Sequence, residues 1–220
     1  MASRREQGEP RRPDPRLYLI APAIADPGGL AGELAQALGA ADVAAVLVPV
    51  PGDDQRGVLE RAKLLAPVIQ TPGAAFLLEG NPAIVARAGA DGAHLAGVDA
   101  LRSAAANLQP DAIAGCGGLK TRHDAMLAGE AGADYVLFGE PDRQGRRPSF
   151  AAVMERIAWW ADLFEVPCVG YAATLAELEL IRRSGADFVA VGDCIFADPR
   201  GPAAALADAA QRLSPTETVG

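Results

Sequence analysis

The chain has 220 residues, half of them apolar, and carries a formal net charge of −8 with a pI near 4.8. This length and apolar content suffice for one large domain or two small ones, and they exclude disorder for most of the chain. The acidic balance argues against a nucleic-acid or anionic-membrane surface, and no apolar run approaches the roughly 20 residues of a membrane span. We therefore expect a cytoplasmic protein that binds a small molecule and neither nucleic acid nor membrane.

The elements can be predicted in chain order. An Arg- and Pro-rich stretch at 1–15 has no amphipathic face and is expected to be a disordered tail. From 16 to 214, apolar runs alternate with helical patterns, and 215–220 is left as a C-terminal tail. The predicted strands are 17–24, 43–50, 74–79, 92–96, 112–115, 134–138, 166–170 and 188–191. The predicted helices are 29–38, 54–69, one opening at Asn81-Pro82, 99–108, 121–131, 150–164, one opening at Thr174, and 202–213.

One motif occurs three times. It reads Arg-Ala-Gly-Ala-Asp at 87–91, Glu-Ala-Gly-Ala-Asp at 130–134 and Arg-Ser-Gly-Ala-Asp at 183–187. In each copy a helical run stops at a glycine able to take the left-handed conformation, and an apolar run of strand length follows. Each copy is therefore predicted to be a helix-to-strand junction, and the strands after them would be alternate strands of one parallel sheet.

Eight strands alternating with eight helices in a chain of this length predict an α/β fold, a single (β/α)8 TIM barrel. The alternative is an open, doubly wound sheet. An open sheet rarely needs eight equal units in series, and the chain has no strand–GxGxxG–helix unit. The closed barrel is therefore the predicted fold.

The active site of such a barrel lies at the C-terminal ends of its strands, so the polar residues that follow the apolar runs are the candidates. They are Glu79, Asn81, Asp99, Cys116, Lys120, Glu140, Asp142, Arg143, Arg146, Arg147, Tyr171 and Asp193. The loops after strands seven and eight commonly bind phosphate, and here they contain Gly170 and Gly192. Two observations oppose that assignment: both glycines also fit turns that end strands, and the carboxylate of Asp193 would repel a phosphate.

Basic residues and a histidine near the strand ends allow two interpretations each. Arg146 and Arg147 suit a clamp on a diphosphate because guanidinium groups match phosphate oxygens, but they also fit a solvated basic loop. Lys120 could serve as an acid or a phosphate ligand, or lie on the surface. His94 sits among Ala and Leu in a strand, which favours a core histidine satisfied by a hydrogen bond over an acid–base role.

The adjacent tryptophans Trp159 and Trp160 lie in the predicted helix 150–164. They are expected to pack that helix on the barrel or on a partner subunit. The helix should face outward on at least one side, and two adjacent tryptophans there would suit a contact with a second copy of the chain. We therefore predict a homodimer.

Four segments share a pattern with a known enzyme family. They are Ala-Asp-Gly-Ala-His-Leu at 90–95, Glu-Ala-Gly-Ala-Asp-Tyr-Val-Leu-Phe-Gly at 130–139, Val-Pro-Cys-Val-Gly at 166–170 and Gly-Ala-Asp-Phe-Val-Ala-Val-Gly-Asp-Cys-Ile-Phe at 185–196. These segments resemble thiamine-phosphate synthase and its sister, the thiazole tautomerase. The resemblance implies a small (β/α)8 barrel that joins hydroxymethylpyrimidine diphosphate to thiazole phosphate and releases pyrophosphate with Mg²⁺ assistance. It also implies a dissociative mechanism, in which a pyrimidine carbocation is captured by the thiazole nitrogen.

The resemblance places a metal ion at carboxylates after strands three and four. Asp99 matches the second metal-binding aspartate of the family. The family's Asn-Asp pair after strand three aligns with Glu79-Gly80, so Glu79 would supply an oxygen from one position earlier.

Other family positions carry different residues here. The polar Gln-Leu-Arg-x-Lys stretch at strand two falls on Leu-Val-Pro-Val-Pro at 47–51. The Ser-x-His segment after strand five falls on Gly-Leu-Lys at 118–120, with Lys120 where the tautomerase carries its catalytic histidine. Arg146 or Arg147 would replace the lysine expected after strand six.

The loops after strands seven and eight differ from the family as well. Gly170-Tyr171 stands where the family has Gly-Gly, and Asp193 stands where it has serine. Each lost charge-assisted hydrogen bond to phosphate is worth roughly 1.5–3 kcal/mol, and several are missing. We therefore expect synthase turnover to be weak or absent.

Three functions are compatible with these residues: a thiamine-phosphate synthase-like protein, a diverged barrel acting on another phosphorylated or heteroaromatic ligand, and a non-catalytic regulatory paralogue. The predicted roles are catalytic for Lys120 and Arg146, binding of substrate or phosphate for Gly170, Tyr171, Gly192, Asp193, Arg147 and Glu140, and metal coordination for Asp99 and Glu79.

Overall fold

Eight parallel strands pair in chain order, and the last pairs with the first, which closes the barrel. Strands β1 to β8 span Arg16–Ile20, Val43–Val48, Ala75–Glu79, Gly92–Ala96, Ile113–Gly117, Tyr135–Phe138, Cys168–Tyr171 and Phe188–Val191. The computed structural model describes residues 13–23, 27–51, 54–142 and 144–214. The predicted tails at 1–15 and 215–220 lie outside these ranges, except for residues 13–15. The predicted TIM barrel is confirmed.

Helices alternate with the strands. Helices α1 to α9 span Pro27–Ala40, Gln55–Gln70, Val85–Ala88, Val98–Leu108, Arg122–Glu130, Phe150–Leu163, Leu175–Ile181, Asp193–Phe196 and Pro202–Leu213, and a 3-10 turn at Pro82–Ile84 precedes α3. The side chains of Asp54, Thr121 and Thr174 cap α2, α5 and α7. No helix among the described residues is long and apolar enough to cross a bilayer.

Some elements differ from their predicted bounds, among them β1, β7 and α8. The predicted strand 17–24 ends at Ile20, because Pro22 has no N–H with which to continue the ladder. The seventh strand begins and ends later than predicted and includes Tyr171. The short helix α8, directly after β8, was not predicted.

Side chains alternate between two apolar clusters along each strand, as the period of two requires. In β6, Tyr135 and Leu137 point into the barrel, whereas Val136 and Phe138 pack against the helices. The interior cluster consists of Tyr18, Ala45, Leu47, Leu77, Tyr135, Leu137, Val169, Tyr171 and Ala190. The larger cluster fills the layer between the strands and the helices.

The repeated motif binds three of the four even strands, β4, β6 and β8, to the odd strand before each. Asp134, directly before β6, donates its N–H to the carbonyl of Ala114 in β5 at 2.9 Å, and its carboxylate accepts the N–H of Ala114 at 2.7 Å. Asp91 forms the same reciprocal pair with Phe76, and Asp187 forms it with Cys168. The glycine two residues before each aspartate has a positive φ, between 71° and 90°, as predicted.

The first pair of strands lacks this arrangement. Asp42, directly before β2, accepts from the exposed guanidinium of Arg16 instead of from a backbone N–H. The register between β1 and β2 is irregular at Leu17 and Tyr18. The repeat therefore extends to three of the four strand pairs.

The tryptophan pair packs within its own chain. Trp160 is buried, stacks on Phe164 with ring centroids 4.1 Å apart, and donates its indole N–H to the carbonyl of Val166 at 2.7 Å. Trp159 is partly buried and lies under the guanidinium of Arg122. Packing on the barrel, one of the two expected arrangements, therefore accounts for Trp160, and the homodimer stays a prediction.

We predict that Asp134→Ala lowers the free energy of unfolding by about 1–3 kcal/mol, because it leaves the N–H of buried Ala114 without an acceptor. Asp42→Ala is the matched control, since it removes only an exposed ion pair and should cost less than about 1 kcal/mol. Urea unfolding followed by circular dichroism measures both. Equal destabilisation by the two variants would contradict the role of the reciprocal pair.

Candidate functional site

A cavity of about 190 Å³ opens at the C-terminal ends of the strands. Its lining combines apolar walls with one histidine and three carboxylates. The lining residues are Ile20, Ala21, Leu47, Glu79, His94, Leu137, Glu140, Pro141, Tyr171, Gly192 and Asp193. The cavity therefore lies where a barrel of this class carries its active site.

Two glycines in β5 make room for the polar groups of the site. A Cβ at Gly115 would lie 2.1 Å from Cζ of Tyr135. A Cβ at Gly117 would lie 2.5 Å from both Nε2 of His94 and Oε1 of Glu140, so these two atoms are neighbours across the glycine. Any larger residue at either position would displace the groups that shape the cavity floor.

Three buried polar side chains form a hydrogen-bonded chain through the barrel interior. The hydroxyl groups of Tyr18 and Tyr135 are 2.8 Å apart, and the Tyr135 hydroxyl lies 2.9 Å from Nδ1 of His94. Burial lowers the pKa of His94 to about 4 and raises the pKa of both tyrosines. All three groups are therefore neutral near pH 7, and one His94 nitrogen remains for the cavity.

The hydrogen bonds that link Tyr18, Tyr135 and His94 can run in either of two directions. If Tyr135 donates to Nδ1 of His94, then Nε2 carries the proton and is a donor toward the cavity. If Nδ1 carries the proton, the hydrogen bonds to Tyr135 and Tyr18 reverse and Nε2 becomes an acceptor. Both orders keep every buried hydroxyl paired, so His94 can match either a donor or an acceptor on a ligand.

Glu140 is held at the cavity edge by the loop after β5. Its Oε1 accepts the backbone N–H of Gly118, a residue with φ of 66°. Desolvation raises the pKa of Glu140, although this hydrogen bond acts in the opposite direction. Arg156 braces the same loop by donating to the carbonyls of Leu119 and Lys120 at 2.7 and 3.0 Å.

Five of the ten predicted site residues line the cavity. They are Glu79, Glu140, Tyr171, Gly192 and Asp193. Glu79 ends β3, Tyr171 ends β7 and Asp193 begins α8, so three separate strand ends bring these side chains together.

Four others lie elsewhere. Lys120 and Asp99 are exposed and do not line the cavity. Arg146 binds Asp142 within its own loop, and its side chain is 76% exposed. Gly170 faces the outer layer, where a Cβ would lie 2.6 Å from Ile157, so helix packing explains this glycine. The catalytic and phosphate-binding roles of these residues stay predictions.

Arg147, the tenth residue, lies behind the cavity wall. Its Nη1 donates to both carboxylate oxygens of Glu177 at 3.1 and 2.8 Å, and the guanidinium lies 5.4 Å from the ring centre of Tyr171. Its Nε and Nη2 are buried and have no hydrogen-bond partner among the described residues. Nε and Nη2 are therefore the donors of Arg147 that the described part of the chain leaves unused.

The structure does not bring the two predicted metal ligands together at the cavity. Glu79 lines the cavity, whereas Asp99 lies in the first turn of α4 and does not. Within the described ranges there is no group of three or more His, Cys, Asp and Glu side chains placed to hold a metal ion. The metal-binding roles of Glu79 and Asp99 stay predictions.

Sequence reasoning missed the polar chain through the interior. His94 was expected to be a hydrogen-bonded core residue, which is confirmed, but it also lines the cavity. Tyr18 and Tyr135 were not singled out. A usable signal was present in Gly115 and Gly117, because glycine at alternate positions of one strand leaves two inward sites empty.

The fold and site define a small (β/α)8 barrel with a ligand cavity at the strand ends. A family model described as thiamine monophosphate synthase matches residues 17–195. The chain is 41% identical to a thiamine-phosphate synthase of Rhodospirillum centenum over 198 residues, which cover 89% of this chain and 96% of that protein. It is 34% identical to one of Hyphomonas neptunium, covering 89% and 92%. The chain belongs to the thiamine monophosphate synthase family.

Solved structures agree on the fold. The thiamine phosphate pyrophosphorylase from Pyrococcus furiosus superposes with a TM-score of 0.75 at 18% identity, covering 90% of this chain and 95% of that one. A 3-hexulose-6-phosphate synthase from Salmonella typhimurium gives 0.69 at 15% identity, covering 90% and 98%. At these identities the likeness concerns the barrel alone.

We predict that His94 makes the protein less stable as the pH falls from 6.5 toward 4. The unfolded histidine takes up a proton near pH 6.5, whereas the native one stays neutral until about pH 4. The free energy of unfolding therefore falls with pH across this window, by up to about 3 kcal/mol.

Urea unfolding at several pH values measures this effect against His94→Gln, which cannot titrate. The variant should show a smaller decrease than the wild type, and His123→Gln, which replaces the exposed histidine of α5, should show the wild-type decrease. An identical pH dependence for wild type and His94→Gln would refute the assignment.

Proposed function

We propose that this protein is a thiamine-phosphate synthase-type transferase. It couples hydroxymethylpyrimidine diphosphate with thiazole phosphate at the strand-end cavity and releases pyrophosphate. The observation that carries the proposal is the match of residues 17–195 to the family together with a cavity at the strand ends, where barrels carry out their chemistry. The bond between the pyrimidine methylene carbon and the diphosphate oxygen breaks, and the thiazole nitrogen forms a new bond to that carbon.

Arg147 supports phosphate recognition beside the cavity. Glu177 fixes one end of its guanidinium, and the ring of Tyr171 lies next to it. The unpaired Nε and Nη2 have the forked geometry that binds phosphate oxygens in pairs. We therefore assign the single phosphate of the thiazole substrate to Arg147.

The diphosphate lacks a comparable partner. Leu47, from the stretch that aligns with the family's polar segment, forms an apolar part of the cavity wall. None of the described lining residues is a lysine or arginine, whereas Glu79, Glu140 and Asp193 bring carboxylates to the same space. Like charges oppose the entry of a diphosphate, so the coupling is expected to be slow.

We predict that turnover of the two substrates stays well below the ordinary enzyme rate of ~1 s⁻¹. The assay follows pyrophosphate release and product by chromatography, with and without Mg²⁺. Turnover at ~1 s⁻¹ or faster would show that the missing cations are not limiting. No product together with no binding of either phosphate by calorimetry would overturn the proposed function.

Arg147→Met tests the phosphate assignment within the same assay. The variant should raise KM for thiazole phosphate about tenfold or more, since charge-assisted hydrogen bonds are lost. Arg147→Lys, which keeps the charge opposite Glu177, separates this effect from misfolding. Arg87→Met removes an exposed arginine from the last turn of α3 and should leave KM unchanged.

A second candidate is a diverged barrel for another phosphorylated or heteroaromatic ligand, including a regulatory paralogue without catalysis. The acidic lining of the cavity favours it, because that lining suits neither diphosphate nor pyrophosphate. Ligand binding without any product would support this candidate.

We also propose that the protein is a cytoplasmic homodimer. Its three cysteines form no disulfide with one another, as expected in a reducing compartment. Leu163 on α6 and Leu180 on α7 are 62% and 50% exposed, which leaves apolar surface on the outer helices. Light scattering at micromolar concentration should report twice the mass of the chain, and a monomer would contradict the prediction.

A further inference from the structure

A second cavity, of about 160 Å³, lies at the opposite end of the barrel, among the N-terminal ends of the strands. Most of its lining is apolar, and the polar side chains that line it are Arg16, Tyr18 and Tyr135. Among the described residues, none lines both this cavity and the strand-end cavity. The two cavities are therefore separate spaces.

Two small residues leave this space open. The interior of a (β/α)8 barrel is usually filled by layers of bulky branched side chains. Here Ala45 belongs to the interior cluster and Ala75 packs against it. The register pairs Ala45 of β2 with Ala75 of β3, so both missing side chains lie on the same side of the barrel. The lowest layer of the interior is therefore incomplete.

The size and the walls of this cavity suit one six-membered ring. A volume of about 160 Å³ is close to the roughly 150 Å³ of an apolar cavity known to hold benzene. Leu77 and Ile113 provide aliphatic contacts, and Phe188 provides an aromatic one. A ring placed here would bury apolar surface against apolar surface, which favours binding.

The polar groups of the lining favour a neutral ligand with an acceptor oxygen. The guanidinium of Arg16 can only donate, and a tyrosine hydroxyl can donate. No carboxylate belongs to the part of the lining that the structure describes. The charge of Arg16 is already balanced by Asp42 at 3.2 Å, so a charged ligand would lose its hydration without gaining a free counter-ion.

Tyr18 forms one end of the hydrogen-bonded chain that reaches His94. Its hydroxyl lies 2.8 Å from that of Tyr135 and can form one further hydrogen bond. When Nδ1 of His94 carries the proton, Nδ1 donates to Tyr135, Tyr135 donates to Tyr18, and the hydrogen of Tyr18 is left to donate onward. An acceptor beside Tyr18 stabilises this direction of the chain, because it pairs that hydrogen.

We propose that the cavity at the N-terminal ends of the strands is a second binding site, for a small neutral ring that carries a carbonyl oxygen. The oxygen accepts the hydroxyl hydrogen of Tyr18, and the ring fills the space beside Ala45 and Ala75. The bound ligand holds the proton of His94 on Nδ1, so that Nε2 faces the strand-end cavity as an acceptor. This site lies outside the proposed synthase chemistry, and its occupation is measured without turnover.

Nuclear magnetic resonance of the full, isotope-labelled chain tests the inference with cyclohexanone. The control probe is methylenecyclohexane, which has the same shape and a CH2 group in place of the oxygen. Cyclohexanone should shift the amide signals of Ala45 and Ala75 in a saturable manner. Tyr18→Phe should weaken cyclohexanone about fivefold, the effect of losing one hydrogen bond, and leave methylenecyclohexane unchanged. No saturable shift with cyclohexanone, or an equal loss for both probes, would overturn the inference.

Variants that fill the cavity locate the site. Ala45→Leu and Ala75→Leu should each weaken cyclohexanone about tenfold or more, because the larger side chain occupies the space of the ring. Ala75 is only partly buried, so its variant remains informative if Ala45→Leu does not fold. Ala35→Leu, at an exposed position of α1, should bind as the wild type does. Wild-type affinity in a folded cavity variant would exclude this site.

The imidazole nitrogen signals of His94 test the connection to the strand-end cavity. At pH 7 and saturating cyclohexanone, Nδ1 should carry the proton and Nε2 should not. A saturated sample in which Nε2 carries the proton would contradict the proposed direction of the chain. Synthase turnover, whether present or absent, changes none of these outcomes, so the two proposals fail in different experiments.

Discussion

Three aspartates hold this barrel together at the N-terminal ends of its strands. Asp91, Asp134 and Asp187 each exchange two hydrogen bonds with one residue of the preceding strand, one through the backbone N–H and one through the carboxylate. Asp187 also accepts the N–H of Arg16 at its carbonyl, so it joins β7, β8 and β1 where the barrel closes. These bonds fix the register, and the register decides which side chains point inward.

The interior that this register creates is crossed by polar groups. Tyr18 and Tyr135 line a second cavity, of about 160 Å³, toward the N-terminal ends of the strands, whereas His94 lines the strand-end cavity. Their hydrogen bonds connect the two cavities through the core. Gly115 permits this connection, because the Tyr135 ring occupies the space of its missing side chain.

The sequence predicted the barrel well because its local signals agree with one another. The glycines of the repeated motif and the capping residues Thr121 and Thr174 mark element ends through local backbone chemistry. The site was predicted less completely, since five of the ten residues line the cavity. Position after a strand does not determine where a long side chain points, since Arg146 binds Asp142 within its own loop. It also does not determine which side of the strand a residue faces, since Gly170 faces the helices. Contacts between distant strands, such as His94 with Tyr135, leave only an indirect signal, the glycines of β5 that make room for these side chains.

The aspartate bonds and the ligand cavity lie at opposite ends of the same strands. A substitution at Leu47 or Asp193 alters the cavity without touching the bonds around Asp134 or Asp187. The residues that line the cavity can therefore change during evolution without altering the hydrogen bonds that fix the strand register. A chain can in this way keep the family's architecture over most of its length while three carboxylates and no lysine or arginine line its described cavity.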